Sequence, residues 1–185
     1  MMKKICQWIL YKCMGWTTEV TVQHPDKFIL CLAPHTSNWD FFIGQLYMRS
    51  EGMRINFMMK KEWFKGPLGK LFRRMGGIPV WRSRHTCMTD NLAAVAENEK
   101  TFRLCITPEG TRSLNPEWKK GFYYIALKAK IPILLYGVDY RKKHVQCTRM
   151  LTPTGDIKKD MKEIKLYYKD FVGKHPELFT IGEMD

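Results

Sequence analysis

Six short segments, 18–23, 27–33, 54–59, 102–107, 133–138 and 144–150, either alternate apolar and polar residues or run apolar throughout. Both patterns read as β-strands, because side chains two apart share a face and unbroken apolar runs suit strands buried on both sides. Helical spacing at 39–51, 67–75, 89–100, 118–130 and 156–171 predicts helices between them. Thr89 or Asp90 suits the cap of the helix ending near Lys100, and Asp156 suits the cap of the last one. Gly76, Gly77 and Pro79 punctuate the middle of the chain, where a further short strand through Val80 is expected. Strands and helices thus alternate. The predicted fold class is α/β: one domain with a mixed, mostly parallel sheet flanked by helices, its functional residues gathered in loops that leave strand ends.

At 185 residues the chain suits one well-developed core rather than two. Residues 17–185 are expected to form that domain, with 1–16 as a separate leading element. In that element Lys3, Lys4 and Lys12 surround Ile5, Trp8, Ile9, Leu10, Met14 and Trp16. It is too short to span a bilayer, so it either packs on the core or lies as a basic amphipathic helix in the lipid interface. No other run approaches the roughly 18 apolar residues of a spanning helix, and any membrane association is expected to be peripheral, at the inner face of the cell membrane.

Charge narrows the partners. Thirty-one Lys and Arg against 18 Asp and Glu give a formal charge of +13, which draws the molecule to nucleic acid, anionic membrane, or acidic substrates and carriers. An aromatic content of 13% tips the choice toward a membrane surface. The competing class is a basic module that stacks nucleic-acid bases on Trp or Tyr, but its cations would be clustered and here they are dispersed. Cys6, Cys13, Cys31, Cys87, Cys105 and Cys147 are scattered without a CxxC pair, which reads as free thiols in a reducing cytosol.

Four segments could carry chemistry. In the first, His35 follows directly on the apolar run 28–33, and Asp40 opens an aromatic-rich helix. His85 and Asp90 repeat the spacing, but His85 follows Arg82 and Arg84 in what reads as a solvated lead-in. On one continuous helix five residues rotate about 140°, so only the strand-to-helix corner lets the Asp40 carboxylate fold back onto the His35 imidazole. So paired, His35 would accept a proton from a substrate hydroxyl while Asp40 fixes its tautomer; the alternative is a buried His satisfying a core Asp. Neither GxSxG nor a Cys with a plausible partner His is evident, which favours direct transfer over a covalent enzyme intermediate.

The second segment, 107–113, again follows a strand and holds Glu109, Gly110, Thr111 and Arg112. Arg112 offers a bidentate fork for phosphate, and a loop N–H near Gly110 is a candidate oxyanion donor. Glu109 would hold Arg112 or the loop, or hydrogen-bond an acceptor hydroxyl. The third segment, 76–83, combines close backbone approach with Arg82, and the fourth, 129–134, runs a helix end into a core strand at Pro132.

Taken in order, these segments resemble the motif series of the glycerolipid acyltransferase family that includes 1-acylglycerol-3-phosphate acyltransferases. The match spans 28–140, and 108–113 (PEGTRS) is its most specific part. The resemblance implies that His35 and Asp40 are the catalytic pair and that Glu109, Gly110, Thr111 and Arg112 form the acceptor-binding block. Arg82 would help hold the acceptor phosphate, and Pro132 would help shape the acyl-donor region. It further implies a lysophospholipid acceptor, acyl-CoA or acyl carrier protein as donor, and no metal or other cofactor. Pro34 and Thr107 depart from the family pattern, which usually has Asn before the His and an aromatic before the Pro. These departures bear on the acceptor, which could instead be a lyso-ornithine lipid or a glycolipid.

Overall fold

The computed structural model describes residues 1–80 and 85–183, without the side chains of 85–87. Its centre is β2 (Lys27–Ala33), flanked in parallel by β5 (Phe102–Ile106) and β6 (Ile133–Asp139). The run of apolar residues in β2 has a simple cause, since both faces are covered. Ile29, Cys31 and Ala33 point into a core with Phe122, Tyr123 and Ile164, whereas Phe28, Leu30 and Leu32 point into another with Leu10, Ile43 and Tyr47. Leu30 and Leu134 have no exposed surface, so truncating either to Ala costs about 2–5 kcal/mol.

Among the described residues the sheet has seven strands, in the order β1-β7-β6-β2-β5-β3-β4. The outer members are β1 (Thr17–Val20), β3 (Asn56–Lys60), β4 (Gly77–Val80) and β7 (His144–Leu151). All pairings are parallel except that of β6 with β7, so the sheet is mixed and mostly parallel as the alternation of elements predicts.

The helices are α1 (Met2–Gln7), α2 (Trp39–Glu51), α3 (Gly66–Arg74), α4 (His85–Asn98), α5 (Gly121–Ala129) and α6 (Ile157–Tyr167). Asp156 caps α6 by accepting the Lys159 N–H at 3.1 Å. The expected cap at Thr89 or Asp90 is corrected. Helix α4 starts at His85, which places both residues inside it, and the Asp90 carboxylate pairs with Lys128 of α5. His85 accordingly opens a helix.

α1 continues as a π-helical turn (Trp8–Cys13). Gln7 donates to the Ser50 carbonyl at 3.1 Å and Tyr11 to Glu51 at 2.8 Å, which ties the segment to the end of α2. Cys6 and Leu10 are buried there, while Met2, Ile5 and Trp8 stay exposed. No helix among the described residues is long and apolar enough to cross a membrane.

Candidate active site

Parallel neighbours deliver their C-terminal ends to the same edge of a sheet, and β6, β2 and β5 do so here. The loop after β2 carries His35, the loop after β5 carries Glu109, and the residue after β6 is Tyr140. Residues about 70 and 100 positions apart in the chain therefore meet because their strands are adjacent.

The turn between β2 and α2 folds Asp40 back onto His35, with Nδ1 of the ring 3.0 Å from Oδ2. The same oxygen accepts the N–H groups of Thr36 and Ser37 at 2.8 and 2.9 Å. A carboxylate tied to two backbone N–H groups can only accept from the ring, so Nδ1 carries the proton and Nε2 is left with a free lone pair. Asp40 is 1% exposed and the His35 side chain 19%, so the carboxylate is sealed while the imidazole meets solvent.

Tyr140 completes the shell by donating to Oδ1 of Asp40 at 2.7 Å. Burial and the neighbouring carboxylate push the phenol's pKa upward, which keeps Tyr140 a donor. The sequence singles out no role for Tyr140; its position just past an apolar strand was the available signal.

Glu109 is 4% exposed, and both its oxygens accept the backbone N–H of His35, at 3.1 and 2.8 Å. Of the roles expected for Glu109, holding a loop is the one with a bond in the structure, and the loop is that of His35. Arg112 bonds the Asn38 side chain, so Glu109 has no share in holding it. Burial raises the Glu109 carboxyl to a pKa of about 8, with the Asp40 charge adding to the rise and the His35 N–H opposing it.

The loop geometry around Glu109 is fixed locally. Asn115 donates to the Glu109 carbonyl at 2.8 Å, and the Thr111 hydroxyl accepts the Ser113 N–H at 3.2 Å. Gly110 turns the chain at φ +68°, and its N–H donates to Thr107 at 3.1 Å. The Gly110 N–H therefore closes a turn. Thr111 and Arg112 are exposed at the edge of the site. Arg82 lies outside the described residues, and Pro132 sits just before β6, where its carbonyl accepts the Ile29 N–H at 3.0 Å.

A small apolar cavity of about 60 Å³ touches Asp40 between α2 and the sheet, lined by Leu32, Ile43, Tyr47, Phe57 and Val138. The thiols of Cys31, Cys105 and Cys147 offer no rival chemistry. Burial drives Cys31 far up and holds Cys105 and Cys147 at about 12, so all three stay protonated at neutral pH.

A sealed carboxylate, an oriented imidazole at the surface and a nearby guanidinium can together remove a proton from a hydroxyl beside an anionic group. A family model described as "Acyltransferase" matches residues 17–136. The fold is similar to that of the 1-acyl-sn-glycerophosphate (LPA) acyltransferase PlsC from Thermotoga maritima, with a TM-score of 0.62 at 18% identity. That likeness covers 91% of this chain and 75% of the other. No curated protein sequence matches this chain.

Proposed function

Because this chain belongs to the acyltransferase family, we propose that it moves a fatty acyl group from acyl-CoA or acyl carrier protein to a lysophospholipid hydroxyl. The acceptor that fits best is 1-acyl-sn-glycerol-3-phosphate, which places the reaction in phospholipid biosynthesis. The observation carrying this reading is the 3.0 Å contact between His35 and a carboxylate already held by two N–H groups.

In the proposed reaction the acceptor hydroxyl gives its proton to Nε2 of His35 as its oxygen attacks the thioester carbonyl carbon. The C–O bond forms, the tetrahedral adduct expels sulfur, and the imidazolium returns its proton to the thiolate. An ester and a free thiol result. Asp40 stabilises the imidazolium, a role supported by its three further donors, Thr36, Ser37 and Tyr140. The protonated, buried thiols support direct transfer without a protein-bound acyl group.

Glu109 acts through the backbone of His35, holding the imidazole at its corner. Arg112 and, by resemblance, Arg82 position the acceptor's anionic headgroup, while Gly110 and Thr111 shape the loop that carries Arg112. The apolar cavity beside Asp40 gives the first methylenes of an acyl chain a dry wall. The molecule would work on the inner face of the cell membrane without spanning it, with the exposed Met2 and Ile5 of α1 and Trp8 of the turn that follows as one lipid contact. Thiol release from acyl-CoA and from acyl carrier protein, measured across a panel of lysolipids with mass spectrometry of the products, tests the donor and the acceptor together. Turnover confined to lyso-ornithine lipid or glycolipid would replace the proposed acceptor.

A further inference from the structure

Helix α3 is amphipathic, yet it does not bury its apolar side. Leu68, Leu71 and Phe72 fall at i, i+3 and i+4 on one face, and Leu68 and Leu71 remain 54% and 50% exposed. At nine residues the helix is too short to hold itself in water, and it is anchored by close backbone approach at Gly69. A Cβ there would lie 2.2 Å from the Phe64 carbonyl oxygen.

The apolar face does not end with the helix. Phe72 meets Trp63 at 6.4 Å and Phe41 at 6.3 Å between ring centroids; Phe41 meets Phe42 at 6.0 Å, and Phe42 meets Trp39 at 5.7 Å. Trp39, Phe42 and Trp63 are each half exposed. A continuous aromatic ridge therefore runs from α3 to the first turn of α2, where Trp39 adjoins Asp40. A contiguous exposed apolar patch of this kind marks an interaction surface.

The charges around the ridge name the partner. Between Lys60 and Arg74 the chain carries six cations and one carboxylate, Glu62. Lys65, Lys70, Arg73 and Arg74 are exposed, and Lys61, Lys65 and Arg73 line a cavity of about 350 Å³ beside Phe64 and Pro79. Lys174 adds a cation 4.6 Å from the Trp39 ring. An acidic carrier protein would be met by cations at the centre of a contact surface. Here the centre is Trp, Phe and Leu with cations at the margin, which matches acyl chains below and phosphates above.

We infer that the ridge of Trp39, Phe42, Trp63, Leu68 and Leu71, with its margin of Lys and Arg, docks the enzyme on an anionic lipid bilayer. Docked there, the rim of the site at Trp39 lies against the membrane, and a lysolipid reaches His35 without crossing bulk water. This purpose rests on the acyl-transfer reading, but the docking itself is measurable without turnover.

The test is co-sedimentation of the full chain with vesicles of phosphatidylcholine, alone or with phosphatidylglycerol. The wild type is expected to bind anionic vesicles at least about tenfold more tightly than neutral ones, and to release with added salt. Leu68→Glu/Leu71→Glu and, separately, Lys70→Glu/Arg74→Glu should each weaken that binding about tenfold or more. Both are expected to keep the wild-type melting temperature and thiol release with a water-soluble, short-chain acceptor. Wild-type vesicle binding in either folded variant overturns the proposal, as does equal binding to neutral and anionic vesicles. It is also overturned if only Ile5→Ser/Trp8→Ser, in the N-terminal helical segment, abolishes binding. Loss of docking in the ridge variants alongside a wild type that releases no thiol would leave the docking surface standing and remove the acyl-transfer reading instead.

Discussion

The Tyr140 hydroxyl donates to Oδ1 of Asp40 at 2.7 Å, opposite the oxygen that holds His35. It is the one side-chain hydroxyl among the described residues that bonds this carboxylate, and it comes from the end of a different strand. Tyr140→Phe removes a hydrogen bond to a buried anion and keeps the ring that packs edge-on to Trp16. The expected result is a kcat lowered about tenfold with KM nearly unchanged, since the lost bond orients the base and touches no substrate. Steady-state kinetics of thiol release separate the two parameters.

The buried Glu109 carboxyl makes stability depend on pH. Its pKa rises from an ordinary 4.5 to about 8 in the fold, so the folded state holds a proton that the unfolded state releases. Its contribution is present below about pH 4.5 and is lost as pH climbs toward 8, with an upper bound of about 5 kcal/mol. Thermal melts from pH 6 to 9 should show a falling melting temperature for the wild type, and a flatter profile for Glu109→Gln.

Much of this arrangement was legible in the sequence, and the rest was hidden for physical reasons. β2 and α2 are found at the expected residues because a doubly buried strand and a cored helix leave strong periodic signals. Asp90 misled because a capping residue and an ion-pair residue look alike until Lys128 is seen beside it. The partners of Glu109 and Asp40, 74 and 100 positions away, arise from sheet order, which no local pattern encodes. The side chain of Arg82, named by resemblance alone, lies outside the described residues.

Arg112, proposed above to hold the headgroup, is exposed beside His35's loop and bonded to Asn38. Arg112→Ala is expected to raise KM for a phosphate-bearing acceptor about 10- to 100-fold, and Arg112→Lys to recover only part of it, since the planar fork is lost. An acceptor without phosphate should show no such rise, which a paired KM determination checks.

Gly137 of β6 lies beneath the Phe171 ring, where an added Cβ would come within 2.0 Å of a ring carbon. The segment after α6 also accepts the Tyr140 N–H through Val172, at 2.8 Å. Gly137→Ala must displace that cover and is expected to cost about 1–3 kcal/mol, visible as a lower denaturation midpoint. Because Tyr140 hangs from the same segment, kcat should fall as well.

The role of His35 as base is decided by kcat/KM for thiol release by His35→Ala, measured on protein whose circular dichroism and vesicle binding match the wild type. A fall of at least about a thousandfold is expected, because the general base is removed. A folded His35→Ala enzyme retaining turnover within tenfold of the wild type would contradict it.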